Sequence, residues 1–132
     1  MQHSFSTTLS NETQTTAFAQ AIAARISPGD TLLLKGPVGA GKTHFARAFI
    51  KALLQYDEDV PSPTFTLIQT YETRKGPLWH ADLYRLTSDY EVEELGLVEA
   101  MTDTICLIEW PDRLGPLTPA EAALLTFEPI HA

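Results

Sequence analysis

Thr31-Leu32-Leu33-Leu34-Lys35-Gly36-Pro37-Val38-Gly39-Ala40-Gly41-Lys42-Thr43 decides the fold of this chain. Residues 31–34 form an almost continuously apolar run, the pattern of a strand buried on both faces of a parallel sheet. The last eight residues match G-x-x-x-x-G-K-[ST] in full. From Thr43 to Leu54 the large apolar residues Phe45, Phe49 and Leu53 recur at helical spacing. A buried strand, a glycine loop and an amphipathic helix in that order spell a phosphate-binding loop.

Each fixed position has a chemical reason. Glycines let the backbone wrap tightly, so that N–H groups of Gly36, Val38, Gly39, Ala40 and Gly41 can turn inward toward phosphate oxygens. The helix that follows aims its positive N-terminus at the same anion, which brings His44, in its first turn, into the nucleotide-binding set. Lys42 supplies a point charge to the β- and γ-phosphates, and the Thr43 hydroxyl suits Mg²⁺. The chain carries a formal net charge of −8, so a polyphosphate needs such a locally built positive site. The same charge disfavours direct non-specific binding to DNA or RNA and favours a basic protein partner.

Working outward, Ser4 to Leu9 alternates as a short first strand would, and Asn11 with Gln14 fits a capping box before a helix bearing Phe18, Ile22 and Ile26. Downstream, strands are expected over Phe65–Tyr71, Leu78–Asp82, Thr104–Glu109 and Leu124–Phe127. Ser88 to Glu91 opens an acidic helix whose apolar face is Val92, Leu95 and Val98. Pro111 to Pro119 reads as loop. Strands alternating with helices imply an α/β sandwich of the P-loop NTPase type: a mostly parallel central sheet flanked by helices, in one domain over residues 1–132. Its ligand belongs at the carboxyl edge of the sheet.

An acidic residue at the end of a second strand usually organises the metal of such a site. Glu109 follows the cleaner apolar strand and is the first choice for Mg²⁺. Asp82, ending Leu78-Trp79-His80-Ala81, reads either as an orienter or base for the attacking water or as a turn cap. Trp110 reads as a packing aromatic or a functional one. Arg47, Arg74, Arg85 and Arg113 are candidate phosphate partners that spacing alone does not separate. No N/T-K-x-D element is present, which excludes that type of guanine reader and leaves ATP. The single Cys106, inside an apolar run, reads as a buried strand residue, and the four histidines lack zinc-ligand spacing. There is no leader-like N-terminus and no apolar run of membrane-spanning length, so a cytoplasmic protein is expected.

Taken together, the loop at 36–43, S-P-T-F at Ser62 to Phe65, H-A-D-L-Y-R-L at His80 to Leu86, E-E-L-G-L at Glu93 to Leu97 and C-L-I-E-W at Cys106 to Trp110 resemble the TsaE family in order and spacing. The resemblance covers residues 5 to 127. It implies a bacterial ATPase required for threonylcarbamoylation of the adenosine 3′ of the anticodon, acting with TsaD and TsaB and meeting tRNA only through them. It further implies ATP and Mg²⁺ at the loop, with Thr43 and Glu109 at the metal. Asp82 and Thr64 then lie near the γ-phosphate as catalytic or switching residues, Trp110 is functional, and Thr13 lies near the nucleoside. Two departures stand out: Pro37 occupies a loop position where the family commonly has an acid, and family members commonly add a strand beyond the last residues here, which implies a shorter sheet edge. The competing readings are a P-loop small-molecule kinase and a nucleotide-gated docking module without turnover.

Overall fold

A computed structural model describes residues 6–37, 40–63 and 67–129. Helix α1 (Glu12–Arg25) leads into strand β1 (Thr31–Lys35), the glycine loop and helix α2 (Lys42–Leu53). An edge hairpin of β2 (Ile68–Thr73) and β3 (Gly76–Asp82) follows. Short helices α3 (Asp89–Glu94) and α4 (Leu97–Asp103) then deliver the chain to β4 (Ile105–Glu109). A 3-10 segment, Pro111–Leu117, leads to β5 (Ala123–Thr126). The sheet order is β2-β3-β4-β1-β5, with only the β2–β3 pair antiparallel. The expected mostly parallel α/β sandwich is therefore the architecture found.

Strand alternation sorts the core into two layers. On one face Leu32, Leu34, Leu78, Ile105 and Leu107 pack against Phe45, Phe49 and Leu53 of α2 and Ala19 and Ala23 of α1. On the other, Leu33, Ala81, Cys106 and Ile108 meet Val92, Leu97, Met101 and Leu114. The buried stripe of α1 is centred on the two alanines, while Phe18 and Ile22 flank it half-buried. Small residues at the centre let α1 lie close to α2, and the Phe18 and Phe45 rings meet at 5.9 Å. The Asn11 side chain accepts the Gln14 N–H at 2.9 Å, a cap of the kind worth about 1 kcal/mol. In the reciprocal bond Gln14 Oε1 accepts the N–H of Ser10, one residue outside the ideal box.

Three sequence expectations change. Pro111 to Pro119, read as loop, holds the 3-10 segment Pro111–Leu117, with proline at its start. The described part of the proposed first strand, residues 6–9, is not a strand, because the free edge of β1 is taken by β5. The acidic helix is broken in two by Gly96, whose φ of +79° reverses the chain cheaply only without a side chain. The break rotates the buried face from Leu95 and Val98 to Leu97, Ala100 and Met101. The N-terminal cap at Ser88 is present, but the Glu91 carboxylate pairs with the Thr87 hydroxyl at 2.7 Å.

The β2–β3 turn closes the ends of both helices on its face of the sheet. Lys75 Nζ donates to the carbonyls of Ala23, Ala24 and Ile26 at 2.8–3.0 Å, at the end of α1. Arg74 donates to Ala52 O from its guanidinium and to Leu53 O from its backbone, at the end of α2. Two adjacent cations thus satisfy orphan carbonyls at the negative poles of two helices. Arg74 is thereby removed from the list of phosphate partners: α2 has 12 residues, so the loop lies about 18 Å away at its other end.

Burial pushes the Cys106 thiol up to about 12 from its ordinary 9.0, with Asp103 adding to the effect. The folded chain therefore keeps a proton that the unfolded chain loses as pH rises past 9, and this group removes stability with rising pH in that range. Native protein at pH 8 is expected to leave an aromatic disulfide reagent unreacted, with one thiol released in guanidinium. Rapid release from native protein would contradict the buried-strand assignment.

Candidate functional site

The loop, Glu109 and Asp82 come together because three parallel strands end side by side. Leu34, just before the loop, is in register with Glu109, and Glu109 is in register with Asp82. Gly36, Glu109 and Asp82 thus line the carboxyl edge in a row, at the place where open α/β sheets bind ligands. Glu109 shares its sheet face with Ile105 and Leu107, and Asp82 shares it with Leu78, which is the face that α2 covers. Both acids are 7% exposed.

The first turn of α2 supplies the positive side. Gly41 is its N-cap and makes no side-chain hydrogen bond, so the leading N–H groups of Lys42, Thr43 and His44 face outward as helix-start donors. Lys42 is only 5% exposed. Its ammonium sits 4.3 Å from the centroid of the Trp110 ring, which in turn packs against Tyr84 at 4.8 Å. Trp110 adopts a left-handed backbone, with φ 58° and ψ 56°, at the turn directly after Glu109. That conformation is costly for a bulky residue, of order 1–3 kcal/mol, and it returns the indole over the lysine. The packing reading of Trp110 is thus realised against Lys42 and Tyr84.

A cleft between α2 and the segment at 60–62 is lined by Thr43, Arg47, Ser62, His80 and Glu109. Arg47 donates from Nε to Val60 O at 3.3 Å. Asp82 Oδ1 accepts the Tyr84 N–H at 3.0 Å, so the turn-cap reading of Asp82 is realised while its carboxylate stays at the strand end. The ring of His44 bridges the two helices, with Nε2 at 2.8 Å from the Thr16 hydroxyl and Nδ1 at 3.5 Å from Glu12. Its side chain therefore anchors α1, and only its backbone N–H faces the loop. Thr13 is exposed in the first turn of α1, directly after Glu12, whose carboxylate faces His44 of α2. The Ala40 N–H folds back to Pro37 O at 3.3 Å. Gly36 is held against Phe127, whose N–H donates to Lys35 O at 2.7 Å. Val38, Gly39 and Thr64 lie outside the described residues. Arg113 donates to Tyr84 O at 3.4 Å.

Sequence reasoning missed His80. Its Nε2 lies 2.8 Å from Glu109 Oε2, and the residue is 2% exposed. The signal was the alternation Leu78, His80, Asp82: in a strand these three share one face, so the histidine points where the aspartate does.

The donors suit a hard cation. Thr43 offers a hydroxyl and Glu109 a carboxylate, and Mg²⁺ takes only one or two protein oxygens beside phosphates and water. Among the described residues no cluster of three or more His, Cys, Asp or Glu is placed to hold a metal, which is what a transition-metal site would need. No described helix is long and apolar enough to cross a membrane.

Comparison with known proteins identifies the family. Residues 9–131 match the family model described as threonylcarbamoyl adenosine biosynthesis protein TsaE. The tRNA threonylcarbamoyladenosine biosynthesis protein TsaE of Rickettsia bellii is 44% identical over 113 residues, covering 86% of this chain and 78% of its own length. The protein of that name from Bacillus subtilis is 41% identical over 112 residues, 84% of this chain and 69% of its own length. The chain spans 61% of the Rickettsia felis relative. The crystal structure of Bacillus subtilis YdiB superposes with a TM-score of 0.71 at 34% identity, over 89% of this chain and 72% of that one. With family model, sequence relatives and solved structure in agreement, the chain belongs to the TsaE family of threonylcarbamoyl adenosine biosynthesis proteins.

Proposed function

We propose that this chain, as one domain over residues 1–132, binds ATP with Mg²⁺ and hydrolyses the ATP in support of tRNA threonylcarbamoylation. The family's named role is tRNA threonylcarbamoyladenosine biosynthesis, and the chain serves that process. In our reading it works in the cytoplasm with TsaD and TsaB, reaches tRNA only through them, and leaves the transfer to the adenosine 3′ of the anticodon to its partners. The observation that carries the reading is the row of strand ends: two buried carboxylates beside a buried lysine at a helix start.

The roles follow from chemistry. The loop backbone from Gly36 through Val38, Gly39, Ala40 and Gly41, together with the N–H groups of Lys42 to His44, cradles the phosphates. Lys42 brings its charge to the phosphate oxygens. Thr43 and Glu109 are the residues to hold Mg²⁺, which neutralises charge on the β- and γ-phosphate oxygens when bound. Asp82 takes the hydrogen bond, or the proton, of the attacking water. Thr64 belongs to the segment that answers the γ-phosphate, Trp110 covers Lys42, and Thr13 lies on the nucleoside side.

The test is ATP turnover by the chain alone and with purified TsaD and TsaB, in wild type and Asp82→Asn. Turnover is expected to be slow alone and raised by the partners. It is expected to fall by about 10²–10⁴-fold in Asp82→Asn, the range for a lost general base. Partners that leave the rate unchanged, or a variant as fast as wild type, would overturn the assignment.

A further inference from the structure

We propose that His80 is a positioning residue that aims the Glu109 carboxylate at the metal of the nucleotide site. The inference rests on the ATP–Mg²⁺ reading above.

The geometry starts with the register. His80 lies opposite Leu107 and Asp82 opposite Glu109, so His80 and Glu109 are diagonal neighbours on one face of adjacent parallel strands. Their side chains meet at 2.8 Å between Nε2 and Oε2, with side-chain exposures of 3% and 9%. An ionised carboxylate only accepts, so Nε2 carries the proton and donates. One carboxylate oxygen is thereby fixed by a short, buried bond. The other is left for the cleft that Glu109 lines together with Thr43.

Packing alone does not account for a histidine here. Its Nδ1 is buried with no hydrogen-bond partner. A buried unsatisfied polar atom costs on the order of 1–3 kcal/mol, and an apolar side chain between Leu78 and the sheet edge would avoid that cost. What an apolar side chain cannot supply is a donor to Glu109. Ligating carboxylates are commonly held by such outer partners, whose loss weakens metal binding by about 10–100-fold.

The experiment compares His80→Gln with His80→Asn in the intact 132-residue chain. A glutamine amide reaches the position of Nε2, whereas an asparagine amide reaches only that of Nδ1. Both are polar and both keep a similar burden on the fold, so stability alone does not separate them. ADP affinity is measured by calorimetry in EDTA and in saturating Mg²⁺, and each variant's metal-free value is its own baseline. The tightening by Mg²⁺ is expected to fall about 10-fold or more in His80→Asn and to stay within about 3-fold of wild type in His80→Gln. Equal ratios for the two variants, or a wild type whose ADP affinity ignores Mg²⁺, would overturn the role of His80 while leaving nucleotide binding intact. A wild type that binds no ADP under either condition would instead sink the ATP–Mg²⁺ reading, and this inference with it.

Discussion

Lys42→Ala is expected to weaken ATP binding by roughly 30–150-fold and to lower partner-stimulated turnover by a further factor of about 10²–10³. The first figure follows from losing a charged hydrogen bond worth about 2–3 kcal/mol. The second is the usual cost of removing one fixed positive donor from a site where charge develops. Lys42 is the sole side-chain cation that the described first turn of α2 offers, and it is 5% exposed. Its charge therefore acts in a poorly solvated setting, where a substitute from solvent is hard to supply. The same ammonium rests on the Trp110 ring. That contact is worth on the order of 1 kcal/mol, so the variant also loosens Trp110 modestly. Calorimetry with ATP, and phosphate release with TsaD and TsaB, give the two readouts. A variant that binds ATP within about 3-fold of wild type would show that the loop is not the nucleotide site.

Gly36→Ala is expected to cost about 3 kcal/mol of stability, which lowers the melting temperature by roughly 10 °C for a domain of this size. Gly36 has φ +147°, and a Cβ built there lies 2.5 Å from Phe127 O and 3.0 Å from Phe127 Cβ. The obstacle is backbone, so no rotamer change relieves it. Moving Phe127 instead strains the bond from its N–H to Lys35 O and the contact of its ring with Phe45 at 5.6 Å. The same glycine that opens the phosphate loop is thus the point where β5 closes against it. Thermal unfolding by circular dichroism checks the value. A shift of less than about 2 °C would mean that Phe127 yields freely and that the close approach is not a constraint.

Much of this was legible in the sequence because the decisive signals are local. The Gly36–Thr43 pattern, the apolar run into it and the Phe45, Phe49, Leu53 stripe need only neighbouring residues to be read. Asp82 and Glu109 were found by the same logic, as acids ending apolar strands. What escaped depends on which strands become neighbours. The pairing of His80 with Glu109 exists only because β3 and β4 are adjacent and in one register. The contact of Lys42 with Trp110 needs the left-handed turn after Glu109, and nothing about a tryptophan announces a positive φ. The ring of His44 is held by α1, a helix whose position the loop motif does not specify, so that contact too lay outside what the motif could tell. The first-strand expectation failed for the converse reason: alternation at residues 4–9 is a local signal, but the edge it needed belongs to β5.

The turn at Arg74 and Lys75 has a dynamic consequence. Because its two cations hold the final carbonyls of α1 and α2, neither helix end can fray without the edge hairpin letting go. Backbone amides in the last turn of α1, in the last turn of α2 and in the hairpin turn should therefore exchange with deuterium at matching rates, as one opening unit. Unfolding of this face then begins as a three-part release at the end remote from the glycine loop, and the loop end of the sheet can outlast it.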